Sequence, residues 1–243
     1  MNLTGKRAFI TGAGSGIGRA VALGYALAGA AVACVSRSGE NLSETAALIE
    51  KAGGRALILP ADVCDFAALQ RQVLAAEQSL GGIDLVFAAA GEATENLPVE
   101  TSDTQAFRRT VEVNLVGAFN TAKAVIPALK RAGGGNMIFV GSGMGHRAAA
   151  TRAAYASSKA GLRMLVRVLA QEHLHDDIAV NELVPGPVLT AFIAGRADQL
   201  RQGAGAHEWF KTPEDVVPLA LFLASQPERG PTGQTFSLAR REL

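Results

Sequence analysis

The sequence predicts an α/β fold, with a doubly wound parallel sheet of about seven strands flanked by helices in a single domain, residues 1–243. The first observation is that short apolar runs recur, each followed by a longer helical pattern. The second is that these runs are hydrophobic at nearly every position, as strands are when helices cover both sheet faces. The third is the length of 243 residues with 49% hydrophobic side chains, which suits one large core.

The predicted strands and helices alternate from end to end. The apolar runs are residues 7–11, 31–36, 56–62, 84–90, 136–142, 179–184 and 234–238. Helical periodicity is clearest over residues 17–28 and 160–172. The least regular segment, residues 187–212, contains several glycines and is predicted to be a substrate-binding loop or lid.

Charge and composition exclude several functional classes. The 23 basic and 22 acidic residues form no nucleic-acid footprint, and no apolar stretch reaches the length of a membrane span. Cys34 and Cys64 lie in apolar, strand-like runs and are predicted to be buried free thiols in a reducing compartment. The four histidines show no metal-ligand spacing. We therefore expect a cytoplasmic protein without a metal, a nucleic-acid partner or a membrane partner.

The turn after the first predicted strand carries T-G-A-G-S-G-I-G (11–18). Glycine lets the backbone approach a ligand closely, and a helix that begins near Ile17 would point its free N–H groups at an anion. The sequence therefore predicts a pyrophosphate site here; the alternative is a glycine-rich turn without a ligand. The G-x-G-x-x-G fingerprint and the P-loop motif do not fit these residues.

The end of the second predicted strand favours NADP(H) over NAD(H). An NAD site usually places an acidic residue there to bind the ribose 2′-hydroxyl. This chain has Ser36 at that place, followed by Arg37, whose guanidinium suits a 2′-phosphate. NAD(H) is the second choice, and a solvated loop charge is the alternative for Arg37.

Tyr155 and Lys159 lie four residues apart in Y-A-S-S-K (155–159), so on a helix they share a face. A free tyrosine titrates near pH ~10, and a nearby ammonium favours the phenolate. We therefore expect Lys159 to lower the pKa of Tyr155 and make it a usable general acid or base. The alternative is a solvated amphipathic surface.

Six motifs occur in a fixed order along the chain: T-G-A-G-S-G-I-G (11–18), A-D-V (61–63), Asn114 in V-E-V-N-L-V-G-A-F, Ser142 thirteen residues before Tyr155, Y-A-S-S-K (155–159), and V-N-E-L-V-P-G-P-V-L-T (180–190). Together they resemble the short-chain dehydrogenase/reductase family over essentially the full length. The resemblance implies a Rossmann-like fold and a homotetramer, or a dimer, in which the helices near residues 103–131 and 153–173 form one subunit interface.

The resemblance also implies a site. The catalytic set would be Asn114, Ser142, Tyr155 and Lys159. The cofactor would be bound by Gly12, Ser15, Gly16, Ile17, Gly18, Arg37, Asp62, Val63, Ala89, Ala90, Gly91, Tyr155, Lys159, Pro185, Gly186, Val188 and Thr190. In these roles Tyr155 exchanges a proton with the substrate oxygen, Ser142 hydrogen-bonds that oxygen, Lys159 also binds the nicotinamide ribose, and Asn114 holds a relay water.

Two positions depart from the family pattern. Ala89, in A-A-A-G (88–91), stands where the family usually has an asparagine that ties neighbouring strands together. The D-G-G that usually follows the last strand is replaced here by Ala239, Arg240 and Arg241. The first change bears on local stability, and the second bears on the subunit interface or substrate entrance.

The substrate pocket is expected near His146, Arg147, Trp209 and Phe210. If both basic groups face it, an anionic substrate is favoured; the alternatives are a surface loop for His146 and Arg147 and a core position for Trp209. The leading hypothesis is an NADP(H)-dependent oxidoreductase that interconverts a carbonyl and a secondary alcohol, similar to the 3-oxoacyl-carrier-protein reductases. A sugar, polyol or small-alcohol dehydrogenase is the second, and a cofactor-binding scaffold without turnover is the third.

Overall fold

A computed structural model describes residues 1–190, 208–240 and 243. All the strands in this part of the chain form one parallel sheet, in the order β3-β2-β1-β4-β5-β6-β7. The strands are β1 (Arg7–Thr11), β2 (Ala31–Ser36), β3 (Arg55–Pro60), β4 (Leu85–Ala88), β5 (Gly135–Val140), β6 (Ile178–Val184) and β7 (Thr235–Ser237). The predicted fold class is confirmed, and each predicted strand end lies within two residues of the observed one.

Helices connect consecutive strands and cover both faces of the sheet. The described helices are α1 (Gly16–Leu27), α2 (Gly39–Lys51), α3 (Phe66–Leu80), α4 (Thr104–Val111), α5 (Gly117–Ala132), α6 (Ala153–Glu172) and α7 (Val217–Ala224). A π-helical segment, Glu112–Val116, joins α4 to α5. Short 3-10 helices lie at Val99–Thr101, Gly143–Gly145, Leu174–Asp176 and Pro213–Val216.

The five inner strands, β2, β1, β4, β5 and β6, are buried on both faces, which is why they are apolar at nearly every position, whereas the edge strands β3 and β7 are partly exposed. On one face, Phe9 and Phe139 pack with α3, α5 and α6. On the other, Ile10 and Phe87 pack with α1, α2 and α7. Successive strand side chains point to opposite faces, so a strand between two helical layers needs an apolar residue at nearly every position.

Local sequence sets the ends of α3. Asp65 precedes the helix, and its Oδ1 accepts a hydrogen bond from the Ala68 backbone N at 2.9 Å. The helix stops at Gly81, whose φ of 81° is the left-handed conformation that glycine adopts readily. A side-chain cap at one end and a glycine at the other are the usual signals for a helix of this length.

The strand order reverses between β1 and β4, and this reversal positions the site. From β1 the chain continues outward to β2 and β3, then returns so that β4 pairs with the other side of β1. In an open parallel sheet, the crevice at such a switch point lies beyond the carboxyl ends of the strands and binds ligands. The loops after β1, β4 and β5 all open into this crevice.

One sequence prediction about the thiols is wrong. Cys34 is buried in β2 as expected, but Cys64 lies beyond the end of β3 and is partly exposed. Its Sγ is 3.8 Å from the Arg109 Nη1, which comes from α4. The predicted strand, residues 56–62, ends two residues past the observed end at Pro60, and Cys64 lies in the turn that follows. Within the described ranges, no helix is long and apolar enough to cross a membrane.

Candidate active site

The glycine-rich turn joins β1 to α1 at the centre of the sheet. Gly12 has a φ of +71°, and a Cβ there would lie 2.7 Å from the backbone C of Ala89 and the backbone N of Ala90. A Cβ on Gly18 would collide with the Gly12 carbonyl. The turn is therefore packed directly against the loop after β4 and against its own helix, and larger residues would push these backbones apart.

The first turn of α1 faces the cleft. Ser15 precedes the helix in extended conformation and makes no side-chain capping bond, so the first backbone N–H groups of α1 are not capped by it. Ser15, Gly16 and Ile17 all line the cleft. Unpaired N–H groups and the positive end of the helix dipole favour a phosphate at this place.

The ends of β2 and β3 form the second part of the cleft. Arg37 is 62% exposed, and its Nη2 lies 3.8 Å from the Oε2 of Glu92, which follows the loop after β4. Arg109 on α4 links the same carboxylate (Nε to Oε1, 3.1 Å) to Asp62 (Nη2 to Oδ2, 3.7 Å). Burial alone would raise the pKa of Asp62, but hydrogen bonds from Cys64 and the charges of Arg109 and Arg37 bring it below its ordinary value.

Tyr155 and Lys159 lie one turn apart on α6, the shared helix expected from their spacing. The Lys159 Nζ is 5.8 Å from the centre of the Tyr155 ring and donates a hydrogen bond to the Val140 carbonyl at 2.8 Å. Lys159 is buried, and this burial lowers its pKa to about 8, while the charge of Glu182 acts in the opposite direction.

The predicted lowering of the Tyr155 pKa is wrong for this structure. Burial raises the pKa of Tyr155, and a hydrogen bond with Ser142 and the charge of Arg152 only partly offset this. The ammonium of Lys159 is turned toward the Val140 carbonyl, so Ser142 and Arg152 stabilise the phenolate instead. Ser142 lies at the start of the loop after β5, where its Oγ also accepts a hydrogen bond from the Met144 backbone N at 3.2 Å.

Asn114 lies in the π-helical segment, a feature often found at functional sites. Its Oδ1 accepts from the Glu92 backbone N at 2.8 Å, and its Nδ2 donates to the Glu92 carbonyl at 2.9 Å and to Ser158 Oγ at 3.0 Å. The side chain is thus fixed between the loop after β4 and helix α6. It is buried behind the cleft and does not line it.

The segment after β6 forms the far wall. Pro185, Gly186, Val188 and Thr190 line the cleft. The predicted lid, residues 187–212, begins and ends in a short parallel pairing: the Leu189 N donates to the Lys211 carbonyl at 2.7 Å, and the Lys211 N donates to the Pro187 carbonyl at 3.0 Å. Residues 191–207 of that segment, including His207, lie outside the described residues.

One cleft of about 760 Å³ brings the predicted residues together, a volume suited to a cofactor and a small substrate. Every residue of the predicted cofactor set lines it, as do Ser142, Tyr155 and Lys159. Glycines that allow close backbone approach, a helix N-terminus for a phosphate and an exposed arginine beyond β2 fit a dinucleotide. Further residues line the cleft that no sequence motif indicated, among them Ser38, Asn41, Glu92, Met144, Arg152, Glu208 and Leu243.

Two predicted pocket residues point elsewhere. The His146 ring is turned into the protein, where Nε2 lies 3.0 Å from Glu182 Oε2. Trp209 is 43% exposed and packs its ring on the Lys211 ammonium, 4.4 Å from the ring centre. Arg147 and Phe210 do line the cleft. Glu182, a buried acid on β6, explains the position of His146. It lies 36 residues further along the chain, so the sequence did not indicate that the two side chains meet.

Residues 6–201 match the family model described as short chain dehydrogenase. The chain belongs to this family. A 2,3-dihydro-2,3-dihydroxybenzoate dehydrogenase from Bacillus subtilis (strain 168) is 33% identical over 236 residues, covering 92% of this chain and 90% of that protein. The family membership makes this protein an oxidoreductase that acts on alcohol or carbonyl substrates.

Two solved structures of the family are similar in fold and sequence. A carveol dehydrogenase from Mycobacterium avium, in complex with NAD, has a TM-score of 0.90 and 27% identity over 98% of this chain and 97% of that chain. A candidate NAD(P) dependent gluconate 5-dehydrogenase from Beutenbergia cavernae, with NADP bound at low occupancy, has a TM-score of 0.89 and 34% identity over 97% and 96%. Short-chain dehydrogenases similar to this chain thus bind either dinucleotide.

Proposed function

We propose that this protein is an NADP(H)-dependent oxidoreductase that interconverts a carbonyl and a secondary alcohol, with Tyr155 as general acid and base. The observation that carries the proposal is the arrangement of one cleft. Tyr155, Ser142 and Lys159 meet at one end of it, and the glycine-rich turn and Arg37 line the other. A nicotinamide cofactor, when bound, supplies or accepts the hydride.

The chain's own residues handle the substrate oxygen and its proton. Ser142 and Tyr155 share a hydrogen bond, so both hydroxyls can contact the same substrate oxygen in the cleft. In reduction, Tyr155 donates its proton to the carbonyl oxygen while Ser142 holds that oxygen in place. In oxidation the same phenol, as phenolate, accepts the alcohol proton.

We assign two roles to Lys159: it restores the proton of Tyr155, and it holds the nicotinamide ribose. Its pKa of about 8 allows it to exchange protons near neutral pH. Behind it, Asn114 is fixed by its bonds to Glu92 and Ser158. We propose that Asn114 holds a water molecule through which Lys159 exchanges protons with solvent.

Arg37 is the proposed determinant of NADP(H) preference. Replacing it with glutamine should raise the Kd for NADPH at least about tenfold, because a charge-assisted hydrogen bond to the 2′-phosphate is lost. The Kd for NADH, which has no such phosphate, should change little. Fluorescence titration with both cofactors measures the two constants.

Arg109→Gln is the matched control for Arg37→Gln. Arg109 contacts the same Glu92 carboxylate but does not line the cleft. It should leave the ratio of the two Kd values near that of the wild type. An unchanged ratio in Arg37→Gln, or an equal change in both variants, would remove Arg37 as the determinant.

The outer wall of the cleft favours a substrate that combines an apolar body with a negative charge. Met144, Phe210 and Leu243 supply apolar surface, and Arg147 and Arg152 supply positive charge. The relative from Bacillus subtilis is named for a substrate that carries a carboxylate on a ring. His146 does not contribute, so the proposal of an anionic substrate now rests on the two arginines.

The experiment that tests the function is a titration with NADPH and NADH followed by turnover against a carbonyl panel. The panel contains a 3-oxoacyl thioester, keto sugars, and cyclic ketones with a ring carboxylate or its methyl ester. Turnover with NADPH supports the proposed class, and preference for the acid over its ester supports the charged wall. Tight binding without turnover across the panel would favour the cofactor-binding scaffold, and turnover of the sugars alone would favour a sugar or polyol dehydrogenase.

We also propose a homotetramer, with a dimer as the alternative. Large apolar side chains on three consecutive helices are exposed: Phe107 on α4, Phe119 on α5, and Met164 and Val168 on α6. A second copy of the chain would cover such a surface. Sedimentation velocity should show a species of about four times the 25.1 kDa chain mass. A monomer at micromolar concentration would contradict the proposal.

Location in the cytoplasm stays a prediction from the sequence.

A further inference from the structure

A carboxylate is buried in the sheet beside the proposed catalytic residues. Glu182 lies in β6, in the otherwise uncharged strand I-A-V-N-E-L-V, and is 1% exposed. Alternate residues of a strand point to the same face of the sheet, and Glu182 follows Ile178 and Val180 at this spacing. Its side chain therefore lies on the sheet face that α6 covers. A buried charge is unfavourable unless other groups compensate it, so its surroundings should reveal its use.

The carboxylate contacts the loop that carries Ser142 on both sides. Its Oε2 accepts hydrogen bonds from His146 Nε2 at 3.0 Å and from Thr235 Oγ1 at 2.6 Å. Its Oε1 has no hydrogen-bond partner among the described residues and rests against Gly141, where any Cβ would collide with it. Gly141 immediately precedes Ser142, and His146 follows it by four residues. Glu182 therefore fixes both ends of this loop to β6.

Lys159 packs against the same structure. A Cβ on Gly145, in the Ser142 loop, would lie 2.8 Å from the backbone C of Lys159. The Lys159 ammonium donates to the Val140 carbonyl, one residue before Gly141. Tyr155 lies beside this ammonium on the same helix, and His146 in the loop contacts the Glu182 carboxylate on β6. Within the described residues, the charge that acts on Lys159 is that of Glu182.

We propose that Glu182, held by His146, is a positioning residue that keeps the buried ammonium of Lys159 charged and the Ser142 loop in place. The inference rests on the proposed function, since it concerns the same proton transfer. Glu182 does not line the cleft. It acts through the two residues that do.

The first test measures the titration of Lys159 without any substrate. The ¹³Cε resonance of Lys159 is followed against pH in lysine-labelled protein and assigned by its loss in Lys159→Arg. Burial lowers the pKa of Lys159 and Glu182 raises it, so Glu182→Gln should lower it further, by about half a unit to one unit. The ammonium would then lose its proton at a lower pH than in the wild type.

Thr235→Val is the matched control. It removes one hydrogen bond to the same Oε2 but leaves the charge of Glu182 in place. Its Lys159 should titrate as in the wild type. An unshifted titration in Glu182→Gln, or an equal shift in Thr235→Val, would overturn the inference. If Glu182→Gln does not fold, Glu182→Met carries the test, because it removes the charge and leaves no amide to be hydrogen-bonded. It should lower the pKa of Lys159, whereas Glu182→Asp, which keeps the charge, should leave the Lys159 titration near that of the wild type. Equal titrations in Glu182→Met and Glu182→Asp overturn the inference.

The second test uses turnover of a substrate identified by the carbonyl panel. The alkaline limb of the kcat profile should move to lower pH in Glu182→Gln and return toward the wild-type position in Glu182→Asp. Because the two residues act as a pair, the effects of Glu182→Gln and His146→Gln should not add in the double variant. Additive effects with an unmoved limb would leave Glu182 a purely structural residue. The NMR titration needs no turnover, so a shift there with no activity on any carbonyl would contradict the proposed function but not this inference.

Discussion

Tyr155→Phe should lower kcat by about 100- to 10,000-fold, the usual contribution of a positioned acid or base. The change removes one oxygen and keeps the ring that packs beside Lys159, 5.8 Å from its ammonium. NADPH should still bind, because the glycine-rich turn and Arg37 are untouched. Steady-state turnover and a fluorescence titration with NADPH measure the two quantities on the same preparation.

The second tyrosine of the chain gives the matched control. Tyr25 is fully buried in α1, and its hydroxyl donates to the Ala220 carbonyl at 3.0 Å. Tyr25→Phe should lower the free energy of unfolding by about 1–2 kcal/mol, because a buried carbonyl loses its partner. It should leave kcat near the wild-type value. Persistent activity in Tyr155→Phe would show that another group transfers the proton.

Gly12→Ala should abolish NADPH binding and lower the free energy of unfolding by about 2–5 kcal/mol. One part of this cost is the φ of +71°, which an L-residue adopts with strain. The other part is the new Cβ, 2.7 Å from the backbone of Ala89 and Ala90, which must move away. Denaturant unfolding and NADPH titration measure both effects.

Gly53→Ala separates the two causes. Gly53 has a similar φ of +80°, but a Cβ there would meet nothing within 4 Å. It should lose only the strain component, about 1–2 kcal/mol, and bind NADPH normally. Equal losses of stability in the two variants, with normal NADPH binding by both, would mean that the contact between the turn and the β4 loop is not tight.

The fold was predictable because its signal is local and repeated. Strands covered on both faces must be apolar at nearly every position, so β1, β2 and β4 can be recognised as apolar runs in the sequence. The start of α6 was harder, since its first turns carry mostly small residues and show no amphipathic period. Periodicity gave residues 160–172, and only the family resemblance extended the helix to its observed start at Ala153. The π-helical segment had no sequence signal that we could identify.

The site was predictable where motifs are short and unpredictable where distant residues meet. The spacing of Tyr155 and Lys159 gave their shared helix face. The pair His146 and Glu182, 36 residues apart, was not foreseen, and His146 was placed in the pocket for that reason. The direction of the Tyr155 pKa was also wrong, because the turn of the Lys159 ammonium toward Val140 depends on three-dimensional packing.

The pairing of Leu189 with Lys211 has a consequence for how substrate range could diversify. The Leu189 N–H donates to the Lys211 carbonyl and the Lys211 N–H donates to the Pro187 carbonyl, so residues 187–189 lie beside Lys211 at the rim of the cleft. Replacing or lengthening the chain between these two anchors would leave the spacing of the anchors unchanged. Pro185 and Gly186, which line the cleft ahead of the anchor, would keep their positions. New alcohol or carbonyl substrates could thus be acquired by exchanging one stretch of chain, while the rest of the cleft is inherited unchanged.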